Sequence, residues 1–111
     1  MSYSIIPTNG FEKELKRLVK KFPSLKNEYA ELIGQTSQNP ELGIFLGNNC
    51  YKIRLAINSK GKGKSGGTRV ITYLYIATET VYLLTIYDKG EKADLKPNEL
   101  KEMVGSLELD V

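Results

Sequence analysis

The sequence predicts an α+β fold: two N-terminal helices packed on a three- to four-stranded antiparallel sheet, closed by a short C-terminal helix. Apolar residues repeat at helical spacing up to Gly34 and at strand spacing from Cys50 to Tyr87. Pro23 cuts the helical part in two, which sets the number of helices.

Tyr3 to Pro7 can add an edge strand. Phe11, Leu15, Leu18, Val19 and Phe22 then form one helical stripe. Thr8 or Asn9 can cap that helix, Glu12 and Glu14 suit its first turn, and Lys20 and Lys21 suit its last. Ser24 can cap a second helix with its stripe at Leu25, Tyr29, Leu32 and Ile33, and Gly34 marks its expected end. Between Cys50 and Asn58, Tyr51, Ile53, Leu55 and Ile57 face one way while Lys52, Arg54 and Ala56 face the other. Thr68 to Ala77 and Thr80 to Tyr87 are rich in β-branched and aromatic residues. The short gap at Thr78 and Glu79 joins them as an antiparallel hairpin. Pro97 opens the last helix, whose stripe is Leu100, Met103, Val104 and Leu107. No repeat or linker divides the chain, so residues 1–111 are expected to form one domain.

Composition removes whole classes of chemistry. With 41% apolar and 26% charged residues, the chain is ordinary folded protein. It has no histidine, which excludes His-based acid–base catalysis and His-ligated metal sites. Cys50 is the only cysteine, so neither an intramolecular disulfide nor a cysteine metal cluster can form. Cys50 itself reads as a small buried hydrophobe of a reduced, cytoplasmic protein. No apolar run reaches the roughly 18–20 residues of a membrane span, and the N-terminus lacks a signal-peptide pattern. No cofactor, metal or membrane partner is implied.

The net charge of +3 conceals a strong asymmetry. From Leu42 to Thr78 there is no acidic residue, and Lys52, Arg54, Lys60, Lys62, Lys64 and Arg69 give that segment +6. The rest of the chain carries −3. A one-sign block repels itself, so either it is a soluble basic loop or it serves an anionic partner.

The loop from Ser59 to Gly67 contains Gly63-Lys64-Ser65, but a phosphate-binding loop would need glycine where Asn58 stands and a helix where a strand follows. What remains is a glycine-rich loop with three lysines suited to neutralising phosphates. Its flanks strengthen that reading. Antiparallel pairing across the loop gathers Lys52, Arg54 and Arg69 on neighbouring strands, about 5–10 Å apart, on the face away from the helices. Tyr73, Tyr75, Tyr82 and Tyr87 lie near enough in sequence to stack on bases, although each also suits a half-buried strand. Asp88, Glu91 and Asp94 recur every three residues, but Lys89 and Lys92 between them favour a solvated turn over a cation site.

These strings carry a resemblance. Tyr51-Lys52-Ile53-Arg54-Leu55, then Lys60-Gly61-Lys62-Gly63-Lys64-Ser65-Gly66-Gly67-Thr68-Arg69-Val70-Ile71, then Tyr82-Leu83-Leu84-Thr85-Ile86-Tyr87-Asp88-Lys89-Gly90-Glu91-Lys92 resemble RelE-superfamily toxins, above all the HigB-like branch of bacterial type II toxin–antitoxin systems. The match is best over residues 44–100, and the helical hairpin fits in order and length. The resemblance implies a toxin that enters the ribosomal A site and cleaves messenger RNA without a metal. The 2′-hydroxyl attacks the adjacent phosphate, leaving a 2′,3′-cyclic phosphate and a 5′-hydroxyl. In this pattern Arg69 matches the phosphate-clamping arginine, and its planar fork suits charge building in the transition state. Lys52 and Arg54 match the basic pair of the first central strand, one as general base and the other as electrostatic support. A lysine base has to be brought down from about 10.4 towards 7–8, which clustered cations do.

Lys89 matches the basic position after the last strand, as general acid or second clamp. Tyr87 matches a stacking platform, and Lys60, Lys62 and Lys64 would contact RNA backbone. The leaving-group end departs from the pattern: Gly90 stands where a second basic residue is common, and Ala93, Asp94 and Leu95 supply no aromatic. The implied partners are the ribosome, its mRNA and a cognate antitoxin, usually with a helix-turn-helix. The same scaffold also serves toxins that inhibit DNA gyrase, and a basic face can bind RNA without cutting it.

Overall fold

The structure is a computed structural model that describes residues 2–60, 67–92 and 94–107. Its elements run β1 (Ser4–Pro7), α1 (Asn9–Lys21), α2 (Leu25–Gln38), β2 (Ile44–Gly47), β3 (Cys50–Leu55), β4 (Thr68–Tyr75), β5 (Thr80–Asp88) and α3 (Pro97–Gly105). The strands form one sheet in the order β1-β5-β4-β3-β2. Every neighbouring pair is antiparallel except β1 with β5, which is parallel. The sheet is therefore five-stranded and mixed, wider than expected by β2.

Both helical stripes pack against one face of this sheet. Phe11, Leu18, Leu25 and Leu32 are buried with Ile53, Val70, Leu74, Val81, Leu83 and Ile86 in a single core. Thr8 sets the angle of α1: its hydroxyl accepts from the Phe11 N–H at 3.2 Å and donates to the Leu83 carbonyl at 3.0 Å. The helix is thus capped and tied to β5 by one side chain.

The second helix runs through Gly34 to Gln38 instead of ending there. An internal glycine costs about 1 kcal/mol of helix propensity. Tertiary bonds outweigh it: Tyr3 N–H donates to the Ser37 carbonyl at 2.9 Å, and the Ser37 hydroxyl donates to the Tyr3 carbonyl at 3.0 Å. Ser24 makes no side-chain cap bond to the helix start. Its hydroxyl donates to Glu28 at 3.0 Å instead.

The hairpin is also looser than expected. Tyr75 and Thr80 bound it, with a 3₁₀ turn at Ile76–Thr78 and a left-handed Glu79 at φ 49° between them. Regular strand structure in β3 stops at Leu55.

The opposite face is covered only in part. Cys50, Ile71, Leu84 and Tyr87 form a second cluster, against which Leu95 and the α3 residues Leu100, Met103 and Val104 pack, along with Leu107. Pro97 is in the first turn of α3, and the Glu99 carboxylate accepts from the Lys96 backbone N–H at 3.1 Å. Among the described residues no helix is long and apolar enough to cross a membrane.

Candidate nucleic-acid interface

Strand register decides which side chains meet. Arg54 is paired with Arg69 across β3 and β4, and Arg69 with Tyr87 across β4 and β5. Directly opposed residues share a face, with Cβ atoms about 4.5–5.5 Å apart. Arg54, Arg69 and Tyr87 thus form a single row across three strands. Lys52, paired with Ile71, stands in the next row on the same face.

The arrangement depends on a bulge. Ile71 pairs with Thr85 but Thr72 with Leu83, so β5 holds one extra residue, Leu84. In a regular strand Tyr82 and Tyr87, five apart, would face opposite ways. The bulge shifts the alternation, and both join the cluster on the α3 side.

The row is not uniform in exposure. Arg54 is exposed, whereas Arg69 is only 3% and Tyr87 6% exposed. Nη1 of Arg69 donates to the Thr68 carbonyl at 3.2 Å, which helps hold the guanidinium in place. Like charges placed directly opposite one another destabilise a sheet. The Arg54–Arg69 pair concentrates positive charge at the centre of the row.

Asp94, between β5 and α3, is an acid that faces this group. It accepts from the Tyr87 hydroxyl at 3.1 Å and the Leu95 N–H at 2.9 Å, and pairs with Lys52 Nζ at 3.7 Å. Its carboxyl is held below the usual range, chiefly by the Leu95 N–H. Tyr87 is pushed up to about 12, first by burial and then by its bond to Asp94. It is a proton donor at neutral pH, not a base. With its ring covered, it forms part of the floor of the site and not an open stacking platform.

The lysine-rich loop springs from two fixed feet. At one, Ser24 N–H donates to the Ser59 hydroxyl at 2.8 Å, and Ser59 N–H donates to the Ser24 hydroxyl at 2.9 Å. The Asn58 N–H also donates to the Glu28 carboxylate at 2.9 Å. At the other, Gly67 lies so close to Leu55 that a Cβ there would sit 2.2 Å from the Leu55 carbonyl oxygen. The Lys89 N–H donates to the Gly67 carbonyl at 3.3 Å, which sets Lys89, exposed, at that same end of the sheet. Lys62, Lys64 and the side chain of Lys60 lie outside the described residues.

The three acids of the turn do not converge. Asp88 is buried and not solvated as expected, Glu91 bonds to Arg17 and Lys21, and Asp94 faces Lys52. Burial also raises the Cys50 thiol to about 11, which fits an inert core residue.

A family model described as the RelE toxin of the RelE/RelB toxin–antitoxin system matches residues 11–106. The chain belongs to the RelE toxin family. Solved structures of the family share the fold at low identity. An arginine double mutant of the Escherichia coli toxin RelE in the free state is 16% identical, with a TM-score of 0.66 over 97% of this chain and 100% of that one. The same mutant toxin bound to an antitoxin RelB peptide is 15% identical, with a TM-score of 0.60 over 98% and 100%. The RelBE2 toxin–antitoxin complex of Mycobacterium tuberculosis is 18% identical, with a TM-score of 0.57 over 79% and 99%. This chain is thus a RelE-family toxin of a toxin–antitoxin system, and its basic row lies on the sheet face away from α1 and α2.

Sequence reading alone brought Lys52, Arg54 and Arg69 together correctly by strand pairing. It missed Asp94 as their neighbour. That residue reaches Lys52 and Tyr87 through a connection whose course no strand or helix period encodes.

Proposed function

We propose that this toxin is a ribosome-dependent endonuclease that cuts messenger RNA without a metal. The supporting observation is the Arg54–Arg69 pair, two cations opposed on neighbouring strands beside Lys52 and Tyr87. A bound phosphodiester would turn that repulsion into attraction.

In this reading Arg54, the exposed member, meets the scissile phosphate first. Arg69, held beneath it, contributes a fixed positive charge that needs no reorganisation as the phosphorane forms. A guanidinium stays charged, so of the strand pair only Lys52 can accept a proton. It takes the proton of the 2′-hydroxyl as that oxygen bonds to phosphorus. The bond from phosphorus to the 5′-oxygen breaks, and Lys89 protonates the departing oxygen. The products are a 2′,3′-cyclic phosphate and a 5′-hydroxyl. Lys60, Lys62 and Lys64 bind RNA backbone, and Tyr87 keeps Asp94 in position.

The glycine–lysine string and the Tyr82–Lys92 segment support the HigB-like branch of the family as the chain's own. Its antitoxin then carries a helix-turn-helix and an acidic or helical segment that covers the basic face, and toxin action is cytoplasmic. Inducible expression followed by mapping of RNA 5′ ends tests the reading. Codon-aligned cuts that need ongoing translation and vanish with Arg69→Ala are expected. Growth arrest with intact messenger RNA and damaged DNA would overturn it in favour of gyrase inhibition.

A further inference from the structure

Beside the basic row a cleft of 260 Å³ opens between the β2–β3 turn and the start of α3. Leu46, Ile71 and Leu100 give it apolar walls, while Asn48, Lys52, Asp94 and Lys101 supply its polar groups. Such a volume falls below the roughly 300–1,000 Å³ of pockets for whole drug-sized ligands, and suits a single planar ring system. A neighbouring depression shares Asn48 and Lys101 with it and is lined by the ring of Tyr73. From the arginine row, past Lys52 and the cleft, to Tyr73, cations and flat apolar surface alternate. That is the pattern of a single-strand nucleic-acid track.

Two details of the walls bear on a ligand. Leu46 is 38% exposed, an apolar side chain left in the open. Asn48 and Asn49 both adopt left-handed backbone, at φ 51° and 60°, as the two-residue hairpin turn between β2 and β3 requires. Their carbonyls are used, by the Cys50 thiol and the Leu74 N–H, yet the Asn48 side-chain amide has no hydrogen bond among the described residues. A free amide offers a donor and an acceptor side by side, the combination that pairs with a base edge. Across the cleft, the Asp94 carboxylate is fixed by Leu95 and Tyr87. A carboxylate so placed accepts from an exocyclic amino group.

We propose that this cleft is a subsite for one unpaired RNA nucleobase, next to the phosphate bound by Arg54 and Arg69, with Asn48 and Asp94 reading its edge. The inference rests on the nuclease reading and adds to it a residue-level origin of sequence preference. When RNA enters, Lys52 leaves Asp94 for the 2′-hydroxyl. Asp94 keeps its bonds to Leu95 and Tyr87 and turns its second oxygen to the base.

The test uses the purified full chain and short RNAs made uncleavable by a 2′-deoxy sugar at the scissile nucleotide, each with one abasic position. Anisotropy should show one position whose base is worth about tenfold in affinity, the size of one lost base contact. Asn48→Gly, which tolerates the left-handed backbone, and Leu46→Ala, which removes one apolar wall, should lose that preference while binding the abasic RNA within about twofold of the parent. On ribosomes the same variants should keep cutting but with a broadened base preference at one codon position. Equal losses at every abasic position, or variants that weaken intact and abasic RNA alike, would overturn the subsite and leave the nuclease reading standing. A parent protein that cuts no messenger RNA on ribosomes sinks that reading, and one that binds none of the RNAs sinks the subsite.

Discussion

The two faces of this sheet are built from the same strands and obey different rules. On the helix side, Val70, Leu74, Val81, Leu83 and Ile86 are buried in one apolar cluster. On the other side the same strands carry Arg54, Arg69 and Lys52, and α3 covers only the end near Cys50, Ile71 and Leu84. One face is built for packing, and the other sets two arginines directly opposite each other. The difference teaches that β3, β4 and β5 serve the core and the site at once through strand alternation. Stability and activity should therefore separate by residue parity, not by distance along the chain.

The largest expected effect is on the packed face. Leu83→Ala should cost about 2–5 kcal/mol in urea unfolding, because the side chain is fully enclosed and the helices cannot collapse into the gap. On the open face, Arg54→Gln should lower the cleavage rate about 100-fold, as loss of one transition-state donor does. The same change should leave stability equal or slightly raised, since it removes a like-charge pair. A large stability loss in Arg54→Gln, measured by denaturation, would erase the distinction between the faces.

Smaller effects sharpen the boundary. Tyr87→Phe should cost about 1 kcal/mol, the net worth of one hydrogen bond, and free Asp94 from one of its anchors. Titration gives a second reading of that boundary. Tyr87 and Cys50 have raised pKa values, about 12 and about 11, so the folded state resists their deprotonation. Their contribution is complete below the ordinary values of 10.0 and 9.0 and is lost as pH climbs from 9 to 12. Thermal melts over that range should fall more steeply for the parent than for Tyr87→Phe.

The smallest effect lies at the surface. Bonds from Arg17 and Lys21 hold Glu91 down at about 2, so its contribution is present above 4.5 and lost as pH drops towards 2. These groups are well exposed, so added salt should remove most of that acid sensitivity.

Much of this was legible in the sequence, for physical reasons that can be named. Every apolar residue of the two N-terminal stripes, from Phe11 to Ile33, lands in the main core, because helical period and burial report the same thing. The Lys52, Arg54 and Arg69 grouping followed from strand alternation and hairpin pairing. Strand β2 did not, since Ile44, Phe45 and Leu46 are all exposed and show no alternating burial. The extension of α2 beyond Gly34 came from bonds to Tyr3, far away in sequence. Neither the Leu84 bulge nor the approach of Asp94 to Tyr87 leaves a period to read. Both are properties of how segments meet.

The bulge has a consequence for inheritance. Because Leu84 is the one surplus residue of β5, it can be lost without turning Tyr87 to the other face. Deleting Leu84 would bring Tyr82 and Tyr87 to four apart, so strict alternation would hold both on the α3 side and keep Leu83 and Ile86 in the main core. Substitutions at this strand can be graded in effect. A one-codon deletion of Leu84 belongs on the same scale, since it takes one buried leucine from the α3-side cluster and leaves the other β5 residues on their faces.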